Sequence, residues 1–400
     1  MEDESAPGSV NFFGPARLGD VRRLLVLVSS IVFVDAMLFG TLSPLIPGYA
    51  EQYALSKAGA GVLAGAFGAG ALLGGIPGGL AAARFGPKSA VVLGLALLAA
   101  ACVLFAVAGS AEALGIARFV QGFSSTVTWA GALAWATVSS PRERRGEVIG
   151  AVFGTAVFGA IVGPMVGGTA DAVGIRTSFF VVGAVAAVLA LWAVVSPRPP
   201  AEEPTRGGLG RAFRDPRFLG GLWLNTLPAL LFGTLLLLVP LALGEHGFSA
   251  LAIGAVFLAS GAIEVTVNPL VGRLSDRRGL LLPIRVALAA GIVVAAALAA
   301  ARGPVLLIAL VCAAAVAWGG FYTPGMTLTS HRAEAVGLSQ GLAFGVMNSA
   351  WAAGNLAGPA VGGAVAHAWG DAVPYLAGGA LCFLTLLAAQ RVAMRSGARA

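Results

Sequence analysis

A glycine–proline pattern that occurs twice constrains this chain more than anything else in it. Gly150-x8-Gly159-x3-Gly163-Pro164-x2-Gly167-Gly168 recurs position for position, 195 residues later, as Gly345-x8-Gly354-x3-Gly358-Pro359-x2-Gly362-Gly363. A second pair, Gly79 to Gly86 (GLAAARFG) and Gly272 to Gly279 (GRLSDRRG), lies 193 residues apart. So many fixed positions recurring together mark a duplicated unit. The surroundings are apolar: the chain is 58% hydrophobic and only 11% charged, where a soluble domain carries about 25% charge. The duplicated unit is therefore a membrane bundle, and duplicated bundles of this size usually move solutes.

Twelve apolar runs are visible, at approximately 24–47, 58–81, 89–109, 112–138, 147–169, 175–195, 218–242, 249–272, 281–301, 304–328, 339–366 and 372–393. Each is roughly 20 residues or longer, enough for a helix to cross a hydrocarbon core about 30 Å thick. The expected fold is all-α and integral to the membrane: twelve transmembrane helices in two pseudo-symmetric six-helix bundles. The expected parts are an N-terminal tail (1–20), a first bundle (21–196), a linker rich in Pro, Gly and charge (197–217), a second bundle (218–394) and a C-terminal tail (395–400). MEDESAPGSV is acidic and the first run is too long for a signal h-region, so no cleavable signal is expected.

The net charge of +7 would suggest nucleic acid in a soluble protein. Here its distribution gives another answer. With the N-terminus inside, Lys57, Arg176 and Arg302 fall in outer loops and Arg118 in a span, while the rest of the 25 Lys and Arg face the cytoplasm. That is a strong positive-inside bias, placing both termini in the cytoplasm and arguing against a nucleic-acid partner. The expected location is a prokaryotic cell membrane, with lipid, a small-molecule substrate and protons as partners and a monomeric state. Cys102, Cys312 and Cys382 sit singly in apolar runs and His246, His331 and His367 are scattered. No metal site and no cofactor are expected.

The motifs resemble those of the major facilitator superfamily, from about Arg22 to Arg391. Gly272-Arg-Leu-Ser-Asp276-Arg277-Arg-Gly279 is similar to the family's signature loop between spans two and three, here repeated between eight and nine. Arg118-Phe-Val-Gln121-Gly122 resembles its fourth-span motif, and the doubled Gly-Pro pattern resembles the fifth-span motif of exporters that exchange substrate for protons. In span one, Val34-Asp35-Ala-Met37-Leu38 through Pro44 and Pro47 is similar to vesicular amine transporters and their bacterial multidrug relatives. Two departures stand out. In the family the loop Asp caps a helix and pairs with a neighbouring Arg to latch the cytoplasmic side; the resemblance implies that role for Asp276, whereas the first half has Ala83 there. An acidic residue expected in span eleven is replaced by Asn348.

Three charged side chains lie deep in the spans: Asp35, Arg118 and Glu264. A charge there costs at least about 2.5–3.5 kcal/mol, so each marks a functional candidate. Asp35 lies roughly 16 Å into its run, near the midplane, where a carboxyl can exchange a proton or a cationic substrate in step with a conformational change. Arg118 is expected to reach toward Asp35, with bonding to exposed carbonyls as the alternative, and Gln121 to support the cluster. Glu264 is a second proton site or counter-charge, or else a structural partner of Asn268. In the loop signatures, Gly79, Arg84, Gly86, Gly272, Asp276, Arg277 and Gly279 are gating candidates. Gly163, Pro164, Gly358 and Pro359 are expected to kink spans five and eleven and to seal the interface between halves. Trp129, Asn225, Tyr322, Asn348 and Trp351, with Phe232 and Phe321, are candidates for lining the cavity, since aromatic faces beside carboxylates suit lipophilic cations.

These residues lead to the expectation of a proton-coupled antiporter exporting small amphipathic or cationic compounds by alternating access. The alternatives are a proton-coupled symporter or a dedicated exporter of one metabolite. No nucleotide-binding loop and no nucleophile–His–carboxylate set is present, so an enzyme is not expected.

Overall fold

The computed structural model describes residues 18–140, 145–198, 208–338 and 340–397. Twelve long helices are found there: α1 (Leu18–Thr41), α2 (Lys57–Phe85), α3 (Pro87–Val107), α4 (Ala111–Val138), α5 (Arg145–Val173) and α6 (Ile175–Val195), then α7 (Pro216–Glu245), α8 (Ala250–Arg278), α9 (Leu281–Ala300), α10 (Pro304–Ala335), α11 (Gln340–Trp369) and α12 (Ala372–Gly397). A 3-10 turn, Ser43–Leu45, and a short helix, Ile46–Gln52, continue from α1. Ten of the long helices are apolar enough to cross a membrane. The other two, α4 and α11, are diluted by Arg118, Gln121 and a hydroxyl run in α4, and by Asn348, Asn355 and several glycines in α11. The chain is an all-α membrane protein, as the apolar runs require.

Local chemistry fixes the helix ends, and it does so twice. Ser56 and Ser249, 193 residues apart, cap α2 and α8 by accepting from the backbone N–H of Gly59 and Ala252. Gly86 and Gly279, also 193 apart, end the same two helices at φ +88° and +77°. With ψ at +155° and +164° this is backbone that is essentially glycine's alone, and a side chain there costs of order 1–3 kcal/mol, so the last position of each loop signature is a backbone requirement.

Helix packing carries the same duplication. Within 18–195, α1 packs on α5, α2 on α4, and α3 on both α4 and α6. Within 216–397, α7 packs on α11, α8 on α10, and α9 on both α10 and α12. Two further seams join the sets and mirror one another, α2 with α11 and α5 with α8.

The glycine pattern lies differently from expectation. Gly159, Gly163 and Gly167 do not face the other half; they lie against the backbone of α1 at Phe33, Met37 and Thr41. Gly354 and Gly358 lie in the same way against Thr226 and Leu230 of α7, and Gly362 against the Thr234 side chain. Spacing of four puts these glycines on one helix face, which closes each half on its own first helix. The contact across the interface is made one residue further round, where Gly168 meets Ala250 and Leu251 of α8 and Gly363 meets Lys57 and Gly61 of α2.

Pro164 and Pro359 serve both seams. The Pro164 ring lies on Gly40 of α1 while its carbonyl lies on Gly254 of α8; the Pro359 ring lies on Gly233 of α7 and its carbonyl on Gly61 of α2. Gly40 and Gly233, like Gly61 and Gly254, are 193 residues apart. Both helices remain α-helical through their prolines.

Polar links between the halves are found at the end away from the linker, here the far end. Lys57 Nζ pairs with Asp371 at 2.6 Å and stands 3.9 Å from Glu245. Ser43 Oγ donates to the Leu236 carbonyl at 2.9 Å. Toward the linker end, Gly79, Gly150, Gly154, Gly272 and Gly345 face open space.

Candidate functional site

Asp35 is 2% exposed on α1, facing α4. Its Oδ2 accepts from Ser125 Oγ at 2.6 Å and from Trp129 Nε1 at 2.9 Å. Those donors are four residues apart and so share one helix face. Oδ1 is buried without a hydrogen-bond partner among the described residues. The site therefore holds one carboxyl oxygen rigidly and leaves the other free to take a proton or meet a ligand.

Arg118 does not pair with Asp35. Its Nη1 donates to Gln121 Oε1 at 2.8 Å and the Leu38 carbonyl at 3.4 Å, and its Nη2 donates to the Phe39 carbonyl at 2.9 Å. Leu38 and Phe39 belong to the last turn of α1, so the guanidinium grips the backbone of α1 just before the 3-10 turn. Depth explains why the expected pairing fails. Asp35 sits level with Ser125, and Arg118 lies seven residues earlier on α4, about 10 Å away along the axis. The guanidinium also lies over Phe67 at 4.8 Å and Phe39 at 5.8 Å. Among the described residues, Arg118 Nε and Gln121 Nε2 are buried without hydrogen-bond partners. A chamber of about 30 Å³ reached by Arg118, Phe67, Gly233 and Asn355 has room for one or two waters beside them.

Two aromatic clusters flank Asp35, and each joins the two sets of helices. Toward the far end, Phe39, Phe67 and Trp351 of α1, α2 and α11 pack with centroids 5.0–6.3 Å apart. Toward the linker end, Trp129 packs on Phe153 at 5.3 Å, and Phe153 on Phe344 of α11 at 5.8 Å.

The remaining candidates are dispersed. Glu264 is half-buried on α8, its carboxylate against Gly319 of α10 and within electrostatic reach of Tyr322. It belongs to a separate cluster in the second half. Asn225 is turned into the α7–α11 seam, donating to the Met347 carbonyl at 2.6 Å. Asn348 is half-buried. Phe321 is fully buried in the core, and Phe232 packs edge-on against Trp318 at 5.6 Å. Arg84 is exposed over the Phe85 ring, and Arg277 is exposed at the end of α8. The side chains of Asp276 and Asn268 lie outside the described residues. Ser125 was not among the sequence candidates, although the hydroxyl run Ser124-Ser125-Thr126 in an apolar helix was its visible signal.

A family model, that of the Major Facilitator Superfamily, matches residues 28–343. The chain belongs to the major facilitator superfamily. As a member it is a transporter and not an enzyme, embedded in lipid and handling a small-molecule substrate. Among curated proteins it is similar to multidrug resistance protein 2 of Bacillus subtilis, 23% identical over 86% of this chain and 89% of that protein. It is also similar to the quinolone resistance protein NorA of Staphylococcus aureus, 26% identical over 46% of this chain and 48% of NorA. Among solved structures, a bacterial homolog of the lysosomal transporter Spinster, inward-facing and unoccupied, superposes with TM-score 0.76 at 18% identity, covering 94% of this chain and 96% of that one. The nucleoside transporter NupG superposes with TM-score 0.70 at 15% identity, covering 92% and 98%. These likenesses establish the facilitator fold.

Proposed function

We propose that this facilitator is a proton-coupled antiporter that exports small amphipathic or cationic compounds by alternating access. The observation that carries the proposal is Asp35: a carboxyl buried between the two aromatic clusters, held by two donors on one oxygen and unpartnered on the other. Such a group binds either a proton or an organic cation, and two ligands that compete for one site exchange for one another. The aromatic walls on both sides suit a lipophilic cation. The relatedness to multidrug and quinolone resistance proteins supports the same substrate class.

In this mechanism Asp35 is the coupling group and Arg118 holds the end of α1 in place beside it. Glu264 with Tyr322 forms a second polar station in the other half. In this reading the halves are the segments 21–196 and 218–394, joined by the linker 197–217, and the positive-inside bias supports a cytoplasmic linker and cytoplasmic termini. With that orientation, the Lys57–Asp371 and Ser43–Leu236 links lie on the outer side, and alternating access breaks them as the halves rock about the Pro164 and Pro359 seams.

Proton flux in inverted vesicles, followed with a quenched pH dye and a panel of lipophilic cations, tests this. Wild-type protein is expected to release protons when a cation is added, and Asp35→Asn is expected to abolish the response at equal expression. Absence of proton movement with every cation in wild-type vesicles would favour a dedicated metabolite carrier instead.

A further inference from the structure

Behind Asp35, on the opposite side of α1, lies a groove of about 590 Å³. One face of α1 forms its floor through Arg22, Leu25, Val26, Ser29, Ser30 and Phe33, the spacing of a single helical stripe. Thr155 of α5 and Val185 and Leu189 of α6 form the walls. The groove runs about 16 Å from Arg22 to Phe33 along the helix axis. It is open on one side, apolar along most of its length, and carries exposed Arg22 at its linker-end mouth.

The groove has a structural cause. The stripe Gly167, Gly163, Gly159 holds α5 against α1, and the next position in that series is Thr155, which lines the groove instead of closing on α1 as a glycine. In the second half the corresponding helices stay together. Asn225 donates to the Met347 carbonyl at 2.6 Å, and Thr226 donates to the Ala350 carbonyl at 3.0 Å. At the 193-residue offset the first half has Val32 and Phe33, which offer no donor, and Ala350 corresponds to Thr155 at the 195-residue offset. The duplication is thus broken at these positions, where the first half has the groove and the second half has two hydrogen bonds across the matching pair of helices.

We propose that this groove binds one acyl chain of an anionic phospholipid, with the headgroup phosphate on Arg22. The groove lies among helices that cross the bilayer, so a chain reaches it from the side. Its apolar floor matches a hydrocarbon tail, and the guanidinium at the mouth pairs with phosphate through charge-assisted hydrogen bonds. The same charge disfavours entry of the organic cation proposed as substrate, which separates this site from a substrate portal. A bound chain wedges α1 from α5 and α6 and so bears on the helix that carries Asp35.

The test uses full-length protein in detergent, titrated with phosphatidylglycerol or phosphatidylcholine of the same chains and read by native mass spectrometry. Wild type is expected to retain phosphatidylglycerol about fivefold more than phosphatidylcholine, the preference typical of one basic side chain at an anionic headgroup. Arg22→Gln is expected to bring that ratio to about one, whereas Arg23→Gln, whose side chain does not line the groove, leaves it unchanged. Ser30→Trp fills the groove and is expected to lose the bound lipid while the thermal midpoint stays that of wild type; Ser29→Phe replaces it should Ser30→Trp not fold. Equal retention of both lipids by wild type overturns the proposal. So does lipid retention in folded Ser30→Trp or Ser29→Phe, an equal effect of Arg22→Gln and Arg23→Gln, or displacement of the lipid by a lipophilic cation.

Discussion

Arg118 and Asp35 carry opposite charges within one pair of helices, yet each is satisfied separately. The arginine holds the last carbonyls of α1 and Gln121, while the aspartate takes its bonds from Ser125 and Trp129. Arginine suits that place because its planar fork donates in three directions at once, which an ammonium on a flexible stem does not reproduce. Arg118→Lys is therefore expected to keep the charge but lower substrate-driven proton release on the order of 10-fold, the equivalent of one or two lost charge-assisted bonds. Flux in vesicles at matched protein content checks this, and full activity of the lysine variant would refute a geometric role. Both charges were legible in the sequence, because an ionisable residue in an apolar run always demands a reason. Their separation was not, since it depends on where two antiparallel helices are level with one another. The same register brought Ser125 to the site and turned Asn225 into a seam.

At the scale of helices, small residues decide which faces close. A Cβ on Gly163 would overlap the Met37 carbonyl, and one on Gly358 the Leu230 carbonyl. Gly163→Ala or Gly358→Ala must force α5 from α1, or α11 from α7, an overpacking cost of about 1–3 kcal/mol. Each is expected to lower the melting temperature of the detergent-solubilised protein by several degrees. Gly150→Ala belongs to the same repeated pattern, but its Cβ would meet nothing within 4 Å. That change is expected to be neutral or stabilising, by up to roughly 1 kcal/mol from lost unfolded-state freedom. Equal melting temperatures for Gly163→Ala and Gly150→Ala would show that the close approach carries no weight. The repeat itself was visible from the spacing of Gly and Pro. Its orientation was not, because a one-residue step around the helix separates Gly167, which faces its own half, from Gly168, which faces the other. Gly40, Gly61, Gly233 and Gly254 hold the prolines at the same offset of 193, yet no local motif singled them out.

Across the whole molecule, the duplication supplies two matching seams, and the departures from it supply direction. The Lys57–Asp371 pair ties the first half to the turn between α11 and α12 at the far end, and position 250, which is Lys57 shifted by 193, is Ala250. Only one of the two symmetry-related places therefore carries this latch. The pair is partly solvent-exposed, with 30% and 37% of its side-chain surface open, so it contributes about 0.2–1 kcal/mol. A term of that size does not hold a fold together, but it shifts a balanced two-state equilibrium up to about fivefold. Ser43, 5% exposed and bonded across the interface to Leu236, lies where opening of the far end would be felt. In a Ser43→Cys background, Lys57→Ala is expected to raise the rate of maleimide labelling from the far side by up to about fivefold. Native Cys102 and Cys382 are buried and Cys312 half-buried, which keeps background labelling low. The charge swap Lys57→Asp with Asp371→Lys restores the pair in reverse and is expected to return the rate toward its starting value. Labelling that ignores Lys57→Ala would remove the latch from the mechanism. Labelling that rises equally in the swap would assign the effect to packing rather than to charge.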